Sequence, residues 1–324
     1  MSVTTLQSRF TEFAIGKQSA QGTAATAAAF AAGVSGGSVF EMEVSEDEVK
    51  ATWLDRIPQG SERTAVKPSA KPQMVATPGL TGDLLFAAIG SDAVTGVGPY
   101  THVLTQATDL PWETLFALLP DGNWWQMLDA KVSSVELSWD GPGHVQVQAE
   151  IMGCTPSVLA SAPTITNTER VSGGFAVGAG GTFQINSVPI NITKGSIKID
   201  NKCQQVILAN EVTPQAITPE MAEVTYSFNV LMPDYTLLRD VLFGSSVATS
   251  GVASGVYLAP ISVEFASPST DTLTVASPSC RIALPWPEAK AEGGPVELEI
   301  TGHAQLPTSG QFLTATVVNS IATY

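Results

Sequence analysis

Residues 131–152 read KVSSVELSWDGPGHVQVQAEIM. On either side of the segment Asp140–Gly143, apolar residues alternate with Ser, Gln and Glu. Alternation with a period of two residues is typical of β-strands, and a Gly- and Pro-containing segment between two such runs is typical of a turn. The stretch therefore predicts an antiparallel hairpin that packs one face on a core and turns the other towards water or a cavity.

The same order of predicted elements occurs twice, in residues 41–153 and in residues 192–304. Each copy has a strand, a second strand leading into a short helix, and then four more strands. Both predicted helices, at 78–89 and 235–243, stop at a glycine. A chain of 324 residues is expected to hold about two domains at roughly 150 residues each, which agrees with the repeat. In an assembling protein such a repeat also changes the expected number of subunits.

The predicted fold class is mainly β, with two tandem sandwich or barrel units, each flanked by one short α-helix. An extended N-terminal arm and long inter-strand loops complete the prediction, because residues 1–38 are rich in small residues and polar connections are predicted at 51–71 and 201–222. One short helix is predicted inside the arm, at residues 6–15. The predicted divisions are 1–38 for the arm, 39–153 for the first β domain, 154–182 for a linker and 183–324 for the second β domain.

The chain is acidic and sparsely charged. Its formal net charge is −15, and 14% of its residues are charged, against about 25% in a typical globular protein. The 15 Lys and Arg residues form no run, which argues against a protein that grips phosphate groups through clustered cations. An ordinary uncharged enzyme would show the same composition, but a large neutral surface favours a protein that is covered by copies of itself.

Few residues suggest chemistry. Cys154, Cys203 and Cys280 form no CxxC pair, so neither a disulfide framework nor a zinc site is predicted, and synthesis in a reducing compartment is expected. Three His residues and scattered carboxylates, without a GxSxG or HExxH motif, predict no enzyme, no metal and no cofactor. His102 is interpreted as a surface or packing residue. The glycines of 176–181 lack the strand, helix and Lys of a phosphate loop. No segment approaches the roughly 18 apolar residues of a membrane span.

Three stretches carry a family resemblance: GKQSAQGTAAT at 16–26, PGLTGDLLFAAIG at 78–90 with Tyr100-Thr-His102 shortly after, and the run from 196 to 304. In these stretches the chain resembles the major tail tube proteins of long-tailed bacteriophages. The resemblance implies a β-sandwich with a flanking helix, in a protein made in the host cytoplasm and located in the virion. It also implies that many copies stack as rings into a hollow tube, with one sheet of each unit joined edge to edge to line a channel for DNA.

The resemblance further implies the partners and the ring symmetry. Expected partners are copies of the chain itself, tail proteins at the tube ends (tape measure, terminator and distal tail proteins), and DNA that passes through the lumen without specific binding. Rings of this family generally hold six tube domains. If each chain supplies two, three chains form a ring with pseudo-sixfold symmetry. The competing arrangement is six chains, with one unit in the wall and the other decorating the outside.

Acidic side chains on the polar faces of the C-terminal hairpins are the candidates for lining the lumen, since like charge prevents a polyanion from sticking. They are Glu136, Glu150, Glu297 and Glu299. The candidates for contacts between rings or subunits are Gly16, Gln18, Gly22, Arg56, Arg63, Lys67, Trp124 and Trp125. The alternative function is a carbohydrate- or cell-binding β-sandwich protein of the tail tip or fibre. The Trp pair would suit that alternative, although packing at a subunit or domain contact is the favoured explanation of it.

Overall fold

The computed structural model describes residues 11–49, 60–232, 234–244, 247, 255–286 and 296–324. The strands of its N-terminal half are β1 (Glu12–Lys17), β2 (Ala28–Gly33), β3 (Gly36–Val49), β4 (Gly60–Val75), β5 (Gly90–Thr95), β6 (Tyr100–Gln106), β7 (Glu113–Leu118), β8 (Trp124–Asp140), β9 (Gln146–Met152), β10 (Thr155–Val158) and β11 (Ile165–Thr168). Those of the C-terminal half are β12 (Thr182–Ile185), β13 (Val188–Pro189), β14 (Asn191–Asp200), β15 (Gln204–Val206), β16 (Ala216–Thr218), β17 (Glu223–Leu231), β18 (Leu258–Ala266), β19 (Thr272–Ala283), β20 (Glu297–Ala304) and β21 (Thr314–Asn319). The helices are α1 (Pro78–Ile89) and α2 (Thr236–Phe243).

Eight antiparallel strands form the central sheet, in the order β3-β4-β9-β8-β14-β17-β20-β19. The first four strands, with α1, are called the first unit, and the last four, with α2, the second unit. Within each unit the chain order of the strands across the sheet is the same, so the predicted repeat is present in the topology. The units meet where β8 pairs with β14, and this junction is called the seam.

Each unit adds an outer layer. In the first unit the N-terminal part of β8 pairs with β7 on one edge and β10 on the other, and β1, β2 and β11 extend the layer beyond β7. In the second unit β18 pairs with β19 from Thr272 to Arg281, β21 pairs with the N-terminal part of β19 on the other edge, and β12 extends the layer beyond β18. β21 also pairs with β6, a strand of the N-terminal half that follows α1. The outer layer therefore connects the two halves of the chain as well.

The two helices end as predicted. Gly90 after α1 has φ 104° and Gly244 after α2 has φ 73°, a left-handed conformation that glycine adopts without strain. The sequence predicts one apolar face on α1, carrying Leu80, Leu84, Leu85 and Ala88. This is too narrow, because every residue from Gly79 to Ile89 is buried. Within the described ranges neither helix is long and apolar enough to span a membrane.

The N-terminal segment differs most from the sequence prediction, which made residues 1–38 an extended arm. The helix predicted at 6–15 is wrong where the structure describes it, since residues from Glu12 onward form β1, and residues 1–10 lie outside the described part. Phe13 and Ile15 of β1 and Phe30 of β2 are buried in the core. Their alternation was overlooked because Ala and Gly separate them. Residues 12–33 therefore belong to the fold of their own chain, not to a free arm.

The polar connection predicted at 51–71 is also wrong from residue 60 onward. Residues 60–75 form β4, in which Val66, Ala70 and Met74 point into the core while charged residues occupy the other face. The hairpin predicted at 131–152 is confirmed as β8 and β9. The sequence also predicts a separate strand at 124–128. In the structure it is continuous with this hairpin, because β8 runs from Trp124 to Asp140 and passes from the outer layer into the central sheet. The domain boundaries remain a prediction.

Candidate functional site

The central sheet has one apolar and one polar face, and both continue across the seam. Paired residues on seven successive strands form an apolar row that is buried throughout: Met74, Val147, Leu137, Ile197, Tyr226, Gly302 and Ile282. The residues next to these in each strand form a second row, which lies on the other face: Gln73, Gln148, Glu136, Lys198, Thr225, His303 and Arg281. Since the side-chain period of a strand is two, the whole face around this second row is polar. It is called the polar face.

All four predicted lumen-lining glutamates lie on the polar face. Glu136 is in the row itself, Glu150 is two residues from Gln148 on β9, and Glu297 and Glu299 are on β20 at an even spacing from each other. Glu150 forms an ion pair with Lys71 at 2.8 Å. Glu299 accepts a hydrogen bond from Ser227 at 3.0 Å, and Glu297 accepts one from Thr193.

The charges of the polar face are mixed. Lys198 pairs with Asp200 at 2.9 Å, and Lys202 pairs with Glu223 at 2.8 Å. The hydrogen bond from Lys202 lowers the pKa of Glu223, and the hydrogen bond to Glu150 raises the pKa of Lys71. Three lysines of the described part of the face, Lys71, Lys198 and Lys202, are thus paired with carboxylates, which reduces their attraction for a phosphate backbone.

The described residues contain no group of three or more His, Cys, Asp or Glu side chains that could hold a metal ion. His102, interpreted from the sequence as a surface or packing residue, is fully buried. Its ring nitrogens bond to Asp92 at 2.9 Å and to the carbonyl oxygen of Ile321 at 2.8 Å. Its role is to hold the C-terminal segment against the first unit.

The central sheet has one open edge along β3, and at its other end only the last residue of β19 lacks a neighbour within the described part of the chain. Among the described strands β3 pairs only with β4. On the side away from β20, β18 pairs with β19 as far as Arg281, and the N–H of Ile282 donates to the carbonyl oxygen of Tyr257 at 3.2 Å. Large apolar side chains lie exposed at the two ends of the sheet: Met42 and Val44 of β3 are each 43% exposed, and Trp286, just after β19, is 71% exposed. An unpaired edge with exposed apolar side chains is a template for another strand.

Three predicted contact residues lie against their own chain. A Cβ atom added at Gly16 would be 2.4 Å from the carbonyl oxygen of Ala27, so glycine is required there by close packing of β1. Gln18 is buried and donates a hydrogen bond to Thr114 at 3.0 Å. The backbone N–H of Gly22 donates to Asp129 at 2.6 Å. Gly16 and Gln18 are therefore buried within the single chain, and their role in contacts between subunits stays a prediction.

The other predicted contact residues differ in their exposure and in their partners within the chain. Arg56 lies outside the described residues, whereas Arg63 is exposed and Lys67 is half-buried on the polar face. Trp124 packs against the small cluster around Phe116, and the ring of Trp125 lies 5.3 Å from that of Phe40. Both Trp side chains thus have partners within the chain, and their geometry provides no observation in favour of sugar binding.

Sequence reasoning missed the two ends of the central sheet. The period-2 pattern that starts at Phe40 assigns Met42 and Val44 to one face of β3, but pattern alone does not say whether a second layer covers that face. Trp286 carries no signal beyond its size and its neighbouring prolines. Only the strand pairings show that both positions lie at an end of the sheet.

A sequence model of a protein family, described as Phage tail tube protein, matches residues 11–310. No curated protein matches the chain. The match spans both units and the seam, and the mainly β architecture agrees with it. The chain belongs to the phage tail tube protein family.

Proposed function

We propose that three copies of this chain close into a ring with pseudo-sixfold symmetry, that rings stack into the tail tube, and that the polar face lines the channel through which DNA leaves. Membership of the family implies the coarser part, a structural virion protein of the tail that self-assembles into a tube and contacts other tail proteins. Ring symmetry and the channel surface are the finer part, and the seam is the observation that supports them.

The seam joins the last strand of the first unit's sheet to the first strand of the second unit's sheet. Seven residue pairs connect β8 and β14, from Lys194 opposite Asp140 to Asp200 opposite Ser134. The corresponding strands of the chain are β3, the first strand of the first unit, which has an open edge among the described strands, and β19, the last strand of the second unit, whose edge is free only beyond its pairing with β18. Repeating the seam between this end of β19 in one chain and β3 of the next would continue the same sheet around the ring.

The number of chains follows from the family's ring of six tube domains. Both units of this chain have the same strand order and share one sheet, so both are suited to the wall. The six-chain alternative would place one unit outside the wall. In that arrangement either the pairing of β8 with β14 would be broken, or the second unit's half of the polar face would lie away from the channel. Three chains are therefore the arrangement that uses both units equivalently.

The first prediction concerns the mass of one ring. A ring released from purified tubes, or the smallest closed species during assembly, should have three times the chain mass of 33.8 kDa. Native mass spectrometry measures this directly, and a projection map along the tube axis should show three strong and three weaker features, because the units are similar but not identical. A ring of six chains would disprove the trimer and leave the tube function intact.

The second prediction concerns the charge of the channel. We expect phage particles carrying Glu297→Lys and Glu299→Lys to eject DNA at least several-fold more slowly in vitro. The substitutions place cations on the polar face, where they would attract phosphates, and added salt should restore the rate because such attraction is screened. The matched control is Glu264→Lys in the outer-layer strand β18, which should eject at the wild-type rate. Equal rates for the double variant and the wild type would contradict the assignment of the polar face to the channel.

A further inference from the structure

The two helices occupy equivalent positions in the two units. α1 follows β4 and α2 follows β17, the second strand of each unit's sheet, and each helix ends at a left-handed glycine. Their surroundings differ sharply. Every residue of α1 from Gly79 to Ile89 is buried, whereas in α2 only Leu238 is buried. In α2 most of the other residues are half-buried, and Thr236 and Arg239 are exposed. An element that is completely covered in one repeat and only partly covered in the other indicates a missing neighbour.

The cover over α1 comes partly from the second unit of the same chain. β21 packs against the helix. Asn319, at the end of β21, donates a hydrogen bond to the carbonyl oxygen of Pro78 at 3.2 Å, and the Tyr324 hydroxyl donates to the same oxygen at 3.3 Å. The Tyr324 ring lies so close to the helix that a Cβ atom at Gly82 would be 2.0 Å from its hydroxyl oxygen. A strand of the following unit and the residues after it therefore cover α1.

The corresponding surface of the second unit is an open groove beside α2. It is lined by apolar side chains of the helix, of the end of β17 and of neighbouring segments: Ile185, Val188, Ile190, Met232, Leu237 and Tyr257. Val188 at its rim is 60% exposed. Asp234 and Asp240 are the charged residues among its lining. This surface is called the α2 groove.

Strand equivalence identifies what would cover the α2 groove. β21 pairs with the N-terminal part of β19 and follows the last strand of the second unit's hairpin; β10 pairs with the N-terminal part of β8 and follows the last strand of the first unit's hairpin. β10 is thus the first unit's counterpart of β21. β21 has strands on both edges, but β10 pairs only with β8 among the described strands.

We infer that residues 155–163, which comprise β10 and the residues after it, pack into the α2 groove of the next chain in the ring. This contact would resemble the one within a chain, where β21 and residues 320–324 cover α1. The segment reads TPSVLASAP and carries no charge. It can therefore enter the apolar α2 groove without burying a charged side chain, which would be costly. Val158 is 54% exposed in the single chain and would be buried by the contact. The inference rests on the proposed ring and adds a second contact, in the outer layer, to the pairing of β19 with β3.

Cross-linking tests the contact directly. In assembled tubes of a Val158→Cys, Leu237→Cys double variant, a short bismaleimide should join neighbouring chains and give covalent dimers and trimers. Each single variant should give only background, which also controls for Cys154, Cys203 and Cys280, all of them buried. Tubes that form normally but give no more cross-linking in the double variant than in the single variants would overturn the inference while leaving the proposed function in place.

A charge in the groove gives a second, independent measurement. We expect Val188→Glu to remain a folded monomer with a thermal midpoint close to that of the wild type, because this side chain is 60% exposed in the single chain. It should yield at least tenfold less tube, because the contact would bury an unpaired carboxylate. Arg239→Glu, on the exposed side of α2, is the matched control and should assemble normally. Wild-type yield from Val188→Glu would overturn the inference. A wild-type chain that forms no ring would instead overturn the proposed function, and the inference with it.

Discussion

Trp139→Ala should lower the free energy of unfolding by about 3–5 kcal/mol, the range found when a large aromatic side chain is removed from a core. Trp139 lies at the seam and is 5% exposed. Its ring centroid is 5.5 Å from that of Phe183, 6.1 Å from that of Phe228 and 5.1 Å from that of Phe265. The first unit supplies the Trp and the C-terminal half supplies all three Phe rings. The substitution therefore removes the largest apolar side chain that crosses the seam.

The local packing leaves little scope for the cavity to close. Gly195 is the residue opposite Trp139 in the pairing of β14 with β8, and a Cβ atom there would lie 2.7 Å from Cζ2 of Trp139 and 2.7 Å from the backbone oxygen of Ser227. Glycine thus allows the indole to approach the backbone of β14 closely. Since the indole Nε1 has no hydrogen-bond partner in the described part of the chain, the substitution sacrifices packing rather than a hydrogen bond.

Thermal unfolding of the unassembled chain measures this effect. A loss of this size should lower the melting temperature by about 10 °C, using roughly 2–4 °C per kcal/mol for a chain of this class. Trp286→Ala is the matched control: this side chain is 71% exposed, so its removal should change the free energy of unfolding by less than about 0.5 kcal/mol. If Trp139→Ala melted within 2 °C of the wild type, the seam would not be stabilised by this cluster.

The stability of the chain should fall as the pH rises from 5 to 8, because two carboxyl groups are buried without partners. Asp83 of α1 is 1% exposed and Glu113 of β7 is fully buried. None of their carboxylate oxygens has a hydrogen-bond partner among the described residues. Burial raises the pKa of Asp83 to about 7, and burial together with the charge of Asp83 raises the pKa of Glu113 well above its usual value. The positive charge of Lys17 opposes both shifts.

The sign follows from linkage. Both folded-state pKa values are above those of the unfolded chain, so the folded state binds more protons, and its stability decreases as the pH rises from about 4 through the folded-state pKa. For a rise from 3.8 to about 7 the loss for Asp83 is on the order of 4 kcal/mol, at about 1.4 kcal/mol per pKa unit. Carboxylates with lowered pKa values, such as Glu223, act in the opposite direction at lower pH.

Isosteric neutral substitutions test this directly. Asp83→Asn and Glu113→Gln should each raise the free energy of unfolding at pH 8 by on the order of 1–3 kcal/mol and change it little at pH 5, because they remove only the cost of burying a charge. Denaturant unfolding at the two pH values measures the difference. Glu223→Gln, which removes a partner of Lys202, should have the opposite sign at pH 8. If Asp83→Asn destabilised the chain equally at both pH values, the role assigned to the pair would be wrong.

The sequence predicts those elements whose pattern is local. The hairpin of β8 and β9, both helices and the glycines that end them were all predictable, because alternation, helical spacing and left-handed glycine each involve neighbouring residues. β1 was not predictable in the same way. Phe13 and Ile15 alternate over only a few residues among Ala and Gly, and what makes this segment a strand is its pairing with β2 and β7.

The residues of the candidate site also differ in whether a local sequence pattern could predict them. The glutamates of the polar face could be selected from the sequence because each lies on the polar side of an alternating strand. Trp286 at an end of the central sheet and Leu237 in the α2 groove could not be selected, because exposure depends on whether another layer covers a residue. The buried carboxyl of Asp83 was overlooked for the same reason: a carboxylate on a short helix is expected to face water, and here the outer layer and the C-terminal segment cover that side.

The sequence by itself determined that the chain repeats one β unit, that each unit carries a glycine-terminated helix, and that the acidic, sparsely charged surface suits assembly. Tertiary structure alone decided how the two units join: β8 meets β14, so two polar faces become one, while among the described strands β3 and β10 each keep one unpaired edge and α2 is only partly covered. The physical reason is that periodicity fixes which side of a strand is apolar, whereas the pairing of strands that are distant in the chain depends on which edges and faces meet once the core has formed.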